Sequence, residues 1–329
     1  MRFVVLGAGA IGGVVGARLS QHGHDVVLVA RGAHHDAIRD NGLRIESPDE
    51  AATLRIPVVD SPSAIRWSGD DVLLLATKTQ DTEAALDALV PAAPAAMPVF
   101  CAQNSVANER MAMERFPNVY GVFVWCPADY LTPGNVQVWS APQSGILHVG
   151  RYPSGSDARA EAVAAAFRDA TFYAEAKPEI MRWKYRKLLS NLGNAVDALC
   201  GTAARGSGIA QRARREGVAC LNAAGIPFVA DDEEDAARLE HSVRARSIGG
   251  MQRRGGSSWQ SLERRLGTIE TDYLNGEIVR LGRLYGVPTP VNAVLQYLSQ
   301  RVARERRPPG TVNPDKILIA LDLRQNPLQ

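Results

Sequence analysis

The first candidate for chemistry is a run of glycines, Gly7-Ala8-Gly9-Ala10-Ile11-Gly12, entered directly from the apolar residues Val4-Val5-Leu6. A G-x-G-x-x-G between a strand and a helix has a physical reading. Gly7 permits a tight turn, Gly9 lets the backbone approach a pyrophosphate, and Gly12 lets the following helix pack against the strand. The helix opening at Ala10 then offers unpaired N–H groups and a positive dipole end to the phosphates. A second apolar strand, Asp25 to Ala30, completes a βαβ unit. Gly7, Ala8, Gly9, Ala10, Ile11 and Gly12 are therefore expected to bind a dinucleotide, the alternative being a glycine-rich structural turn. Sites for NAD carry an acid at the end of the second strand, where it accepts from the ribose 2′-hydroxyl. Here the chain reads Leu28-Val29-Ala30-Arg31-Gly32. A guanidinium offers charge and a fork of donors to a 2′-phosphate, so NADP(H) is the expected cofactor; otherwise Arg31 is a solvated loop arginine.

Two short polar motifs follow further strand-like runs: Thr77-Lys78 after Asp71 to Ala76, and Gln103-Asn104-Ser105 after Pro98 to Ala102. Both stand at carboxyl ends of strands, where ligands of this fold class run. Lys78 is expected to pair with a phosphate, against the alternative of a solvated helix cap, and Asn104 to bond a ribose or a substrate. Later, Lys187, Asn191 and Asn194 share one helix face, while Leu188, Leu189, Leu192 and Val196 occupy the others. Asparagine is a poor residue for a helix interior. Two of them on a largely apolar helix need polar partners, which a ligand would supply unless the face is a solvent stripe. Lys184, one turn earlier, rivals Lys187. His34 and His35 read as surface residues. Ser257-Ser258 stand immediately before a helical stretch, Trp259 to Tyr285, in which Glu270 on pattern alone is one solvated acid among many. Along one straight helix Ser258 and Glu270 would lie about 18 Å apart, so either the helix starts after Ser258 or Gly267 bends it.

The elements that must position these residues change character midway. The first half alternates strands and helices, with further strands at Leu43 to Glu46, Thr53 to Val59, Val119 to Trp125, Val136 to Trp139 and Ile146 to Gly150, and a helix at Ala158 to Ala170. Beyond Lys177-Pro178 come helical stretches at Glu179 to Leu199, Ile209 to Ala224, Asp231 to Ile248, Trp259 to Tyr285 and Val291 to Arg304. The expectation is an α/β fold: a Rossmann-type doubly wound sheet over residues 1–176, then an all-α substrate and catalytic domain over 177–329. The 329 residues are 46% hydrophobic and 22% charged, with a net charge of +2. That balance gives no reason to expect a nucleic-acid or membrane partner, and no apolar run reaches the roughly 18 residues of a membrane helix. The four cysteines lack metal-ligand spacing, so no metal is expected and they read as reduced thiols of a cytoplasmic protein.

Taken in order, these motifs resemble the ketopantoate reductase family (2-dehydropantoate 2-reductases) along nearly the whole chain. The resemblance rests on the glycine turn, Arg31, Thr77-Lys78, Gln103-Asn104, Lys187-Leu188-Leu189-Ser190-Asn191, Ser257-Ser258, Glu270 to Gly276, and Gly286-Val287-Pro288-Thr289-Pro290-Val291-Asn292. It promotes Lys187 over Lys184. It implies NADPH-dependent reduction of a 2-keto acid to a 2-hydroxy acid, ketopantoate to pantoate in pantothenate biosynthesis, by a monomer or homodimer. Lys187 would stabilise the developing oxyanion and give up a proton, and Glu270 would hold that lysine, the nicotinamide ribose or the new hydroxyl. Asn191 and Asn194 would fix the substrate, Ser258 would bind its carboxylate, and Asn104 would stand between cofactor and substrate. The chain departs from the family pattern at several positions. Ser105 replaces a glycine, Asn194 stands one residue early, Gly255 replaces an asparagine and Leu262 an aspartate, and a further asparagine has no match among Cys200 to Gly208. Alternatives are a reductase for another carbonyl substrate and a non-catalytic NADP(H) sensor.

Overall fold

The glycine turn joins β1 (Arg2–Leu6) to α1 (Ala10–Gln21), and β2 (Asp25–Val29) follows. The computed structural model describes residues 1–201, 204, 206–233 and 243–325, the last four by backbone alone. In chain order come α2 (Gly32–Asn41), β3 (Leu43–Glu46), β4 (Ala51–Leu54), β5 (Val58–Val59), β6 (Asp71–Leu75), α3 (Thr82–Leu89), β7 (Pro98–Cys101) and α4 (Asn108–Met113). Next are β8 (Asn118–Trp125), β9 (Ala128–Thr132), β10 (Asn135–Val138), β11 (Gly145–Arg151), α5 (Ala158–Asp169) and β12 (Phe172–Tyr173). Further helices are α6 (Ile180–Asn191), α7 (Asn194–Cys200), α8 (Ile209–Ala223), α9 (Ser257–Glu263), α10 (Asn275–Tyr285), α11 (Pro290–Arg304) and α12 (Pro314–Gln325). Two compact units emerge: Met1–Lys184 with Val229–Arg253, and Tyr185–Phe228 with Arg254–Gln329.

The first unit carries an eight-stranded sheet in the order β12-β11-β8-β7-β6-β1-β2-β5. Its pairings are parallel except β8 with β11. Phe3, Val4 and Val5 of β1 are fully buried, as strands covered on both faces require. This is the Rossmann-type α/β fold expected from the alternation of elements. A second sheet, β4-β3-β10-β9, was not expected as a separate layer. Its strand β9 runs from buried Ala128 and Asp129 to exposed Leu131 and Thr132 with no alternation to announce it.

The units divide differently from 1–176 and 177–329, because 229–253 returns to the first. Arg246 N–H donates to Trp139 O at 2.6 Å, and the Arg253 guanidinium pairs with Asp129 at 2.9 Å. The helix expected over Asp231 to Ile248 is not sustained: from Val243 to Ile248 the chain is not helical, with bridges from Ala245 to Ser140 and from Ile248 to Met251. Residues 234–242 of that stretch lie outside the described ones.

The second unit is helical among its described residues, with two breaks, of which only the one near Gly267 was among the sequence expectations. The helix expected over Glu179 to Leu199 parts at Leu192-Gly193, between α6 and α7. Asn275 Nδ2 takes the freed Leu192 carbonyl at 3.1 Å and also donates to Asn292 Oδ1 at 2.9 Å. Glu216 in turn accepts the Val291 and Asn292 N–H groups at the start of α11, both at 2.9 Å. The stretch Trp259 to Tyr285 also divides. Helix α9 ends at Glu263, Arg265 and Gly267 are left-handed at φ 51° and 78°, and Glu270–Tyr273 forms a 3-10 turn before α10. Ser258 and Glu270 therefore do not share a helix.

Candidate active site

Strand register sets out the cofactor-side residues. Leu6 lies opposite Val29 on one side and Leu75 on the other, and Leu75 opposite Cys101. Arg31, the glycine turn, Thr77-Lys78 and Gln103-Asn104 thus leave neighbouring strands at one carboxyl edge, where α/β sheets bind ligands. Gly7 has φ +103°, and a Cβ there would lie 2.9 Å from Thr77 N; a Cβ at Gly12 would lie 2.1 Å from Gly7 O. Neither position admits a side chain. At Gly9 the nearest obstacle to a Cβ is Tyr130 Cδ1 at 3.9 Å, so that side of the turn is open. Gly7 and Ala8 N–H both donate to Val29 O, at 3.1 and 3.2 Å. The N–H groups of Gly9 to Gly12 have no backbone acceptor among the described residues, and α1 has neither a side-chain cap nor an acid in its first turn. Unpaired donors, a positive dipole end and open space fit a pyrophosphate.

Around the turn, Arg31 is exposed at the start of α2 and makes no side-chain bond to the described residues. Lys78 is half-buried at the head of a 3-10 turn, Thr79–Asp81. A polar network ties the neighbouring strand ends. Gln103 Nε2 donates to Thr77 O at 3.0 Å and Thr82 Oγ1 at 2.7 Å, and Asn108 Nδ2 donates to Asn104 O at 2.9 Å. Ser105 takes φ 75°. The left-handed region explains why the resemblance expects glycine there. Ser105 meets the demand with a small side chain whose Oγ accepts Ala107 N–H at 3.2 Å.

The two rival lysines of α6 differ in environment. Lys184 is 3% exposed and pairs with Glu109, which is 0% exposed. Its Nζ also donates to Cys101 O at 3.3 Å and Gln103 O at 3.1 Å. Burial pushes the Glu109 carboxyl up against the pull of the Lys184 ammonium, and burial likewise raises the Cys101 thiol. Lys184 is committed to bracing the end of β7. Lys187, one turn further, is half-buried.

In the second unit, Asn191 is 6% exposed and Asn194 is half-buried at the first position of α7. A Cβ at Gly256 would lie 3.3 Å from Asn194 Oδ1, so the start of α9 abuts that amide. Ser258, two residues on, is fully buried and its Oγ has no hydrogen-bond partner among the described residues. A buried hydroxyl left this way can donate to a water or to a ligand. Glu270 is 2% exposed in its 3-10 turn, not the solvated acid its pattern suggested. The starts of α7 and α9, which carry Asn194 and Ser258, are brought together.

Sequence reasoning missed His34, which is 7% exposed rather than a surface residue. Its Nε2 lies 2.7 Å from Ala8 O, and Gly134 N–H donates to its Nδ1 at 3.0 Å. Helical spacing to Ile38, 2% exposed four residues on, was the available signal.

A family profile described as Ketopantoate reductase PanE/ApbA matches residues 3–154, and the corresponding C-terminal profile matches 179–303. The chain belongs to the ketopantoate reductase family. A 2-dehydropantoate 2-reductase of Archaeoglobus fulgidus is 30% identical over 92% of this chain and 97% of its own length. The crystal structure of a PanE/ApbA family ketopantoate reductase from Ralstonia eutropha JMP134 superposes with a TM-score of 0.77 at 28% identity, over 93% of this chain and 99% of that one. A ternary structure of D-mandelate dehydrogenase with NADH and anilino(oxo)acetate shares the fold, with a TM-score of 0.77 at 24% identity and the same coverage. The chain is accordingly an oxidoreductase of the class acting on CH–OH groups. Against the family pattern, the Gly255 departure has a visible reason. A Cβ there would lie 2.4 Å from Trp259 Cγ, so the indole fills the volume an asparagine would use. Leu262, in place of the aspartate, is 1% exposed.

Proposed function

We propose that this ketopantoate reductase family member reduces a 2-keto acid to the 2-hydroxy acid with NADPH, ketopantoate being the first substrate to try. The observation that carries the reading is the contrast between the two lysines of α6: Lys184 is buried against Glu109, whereas Lys187 is half-buried and accessible to a ligand. The turn Gly7-Ala8-Gly9-Ala10-Ile11-Gly12 would hold the pyrophosphate, Arg31 the 2′-phosphate, Lys78 a phosphate, and Asn104 the nicotinamide ribose or the substrate. The bound cofactor supplies the hydride. Lys187 donates a hydrogen bond to the keto oxygen and its proton as negative charge develops there, so that carbon gains hydride and oxygen gains H⁺. Ser258 Oγ donates to the substrate carboxylate, the Asn191 and Asn194 amides orient the remaining polar groups, and Glu270 holds Lys187, the ribose or the product hydroxyl.

A second reading, a bulkier or less polar 2-keto acid, is favoured by the indole of Trp259 and the buried Leu262 where the family pattern has amide and carboxylate. The D-mandelate dehydrogenase of the same fold holds a compound of that kind, anilino(oxo)acetate. A site that loses hydrogen-bonding groups changes what it rejects. The test is loss of reduced-nicotinamide absorbance with ketopantoate beside aliphatic and aromatic 2-keto acids. Preference for ketopantoate supports the first reading and preference for an aromatic keto acid the second. NADPH binding without turnover of any keto acid overturns both.

A further inference from the structure

We propose that His34 positions the dinucleotide: by holding the Ala8 carbonyl, its Nε2–H aims the Gly9 N–H into the phosphate site. The inference rests on the reading of the glycine turn as a pyrophosphate site. The tautomer follows from the partners. Gly134 N–H can only donate, so Nδ1 at 3.0 Å is the acceptor and the proton sits on Nε2, which donates to Ala8 O at 2.7 Å. The Ala8–Gly9 peptide is planar and trans, so its C=O and N–H point in opposite directions. Fixing the Ala8 carbonyl toward His34 therefore fixes the Gly9 N–H away from it. That amide belongs to the run of donors without a backbone acceptor among the described residues.

The bond matters because Gly9 has no side chain to oppose rotation of this peptide. A rotated peptide would turn a carbonyl oxygen toward the phosphate and withdraw a donor. The ring itself is held independently of Ala8. It lies 4.3 Å, centroid to centroid, from the Tyr130 ring, and Gly134 at φ +77° packs its turn against Ala37, where an added Cβ would come within 3.0 Å. The hairpin of β9 and β10 thereby reaches the Ala8 carbonyl through this imidazole.

The two ring nitrogens serve different backbone groups, so amide side chains can separate them. In His34→Gln the amide nitrogen replaces Nε2 and the acceptor for Gly134 is lost. In His34→Asn the amide oxygen replaces Nδ1 and the donor to Ala8 is lost. NADPH affinity is measured by calorimetry, with thermal melting of each protein and amide hydrogen exchange at Gly9 in the ligand-free state. The expected result is that His34→Asn loses about tenfold in affinity, the scale of one hydrogen bond, with faster exchange at Gly9. His34→Gln should bind nearly as the parent does, the two variants melting alike. Parent-like affinity in His34→Asn overturns the role of His34 and leaves the reading of the turn intact. Losses in both variants that simply track their melting temperatures also overturn it, in favour of packing. No dinucleotide binding by the parent protein removes the reading of the turn, and the proposal with it.

Discussion

Lys184 and Glu109 form an ion pair closed off from solvent, at 3% and 0% exposure, beneath the end of β7. The ammonium also carries the carbonyls of Cys101 and Gln103, so it fixes the backbone that leads into Asn104. Removing one partner strands a buried charge, which costs about 3–5 kcal/mol, whereas removing both is far less damaging. Lys184→Met is expected to lower stability by that order in urea denaturation, and Glu109→Gln added to it should restore much of the loss. A Lys184→Met protein as stable as the parent would show that the pair is not structural.

Lys187 is the contrasting case. Lys187→Ala is expected to cut turnover about 10²–10⁴-fold, the scale of a lost acid catalyst, while NADPH affinity hardly moves and the melting temperature holds. The comparison with Lys184→Met separates chemistry from support: one variant loses rate, the other stability. Near-normal turnover in Lys187→Ala would refute the assignment and return attention to Lys184.

What was legible in the sequence was what residue type alone enforces. Gly7 and Gly12 stand where no side chain fits, and the polar residues after β6 and β7 follow runs too apolar to be anything but buried strands. What was hidden depends on partners distant in sequence. His34 sits in a short polar helix, and it is buried because Gly134, a hundred residues later, meets its ring. The break at Leu192-Gly193 is stabilised by Asn275, and 229–253 joins the first unit through contacts such as Arg253 with Asp129. Helical periodicity cannot register a cap or an ion pair supplied from elsewhere. Glu270 reads as solvated for the same reason: helical pattern does not report what packs on it, whereas the left-handed residues Arg265 and Gly267 lead into a separate turn where it is buried.

Arg31 provides the test of cofactor choice. It is exposed and unpaired among the described residues, so its removal leaves no buried group stranded. Arg31→Ala is expected to weaken NADPH about 10–100-fold, as for a lost charge-assisted hydrogen bond, and to leave NADH nearly unchanged. Raising the salt concentration should shrink the difference between parent and variant, since an exposed guanidinium is screened. Equal losses for both cofactors would mean that Arg31 does not read the 2′-phosphate.

Gly256 offers a graded probe of Asn194. Its φ of −80° and ψ of −173° suit alanine, so the backbone should accept Gly256→Ala without strain. The new methyl would meet Asn194 Oδ1 at 3.3 Å, close enough to push the amide by a few tenths of an ångström. If Asn194 orients the keto acid, a displacement of that size is felt in substrate binding. KM for the keto acid should rise several-fold, with NADPH affinity and melting temperature nearly unchanged. The decisive measurement is the double variant. In an Asn194→Ala background the added methyl has no amide to displace, so Gly256→Ala should then raise KM no further. The same increase in both backgrounds would mean that the methyl acts through the start of α9 and Ser258 instead of through Asn194.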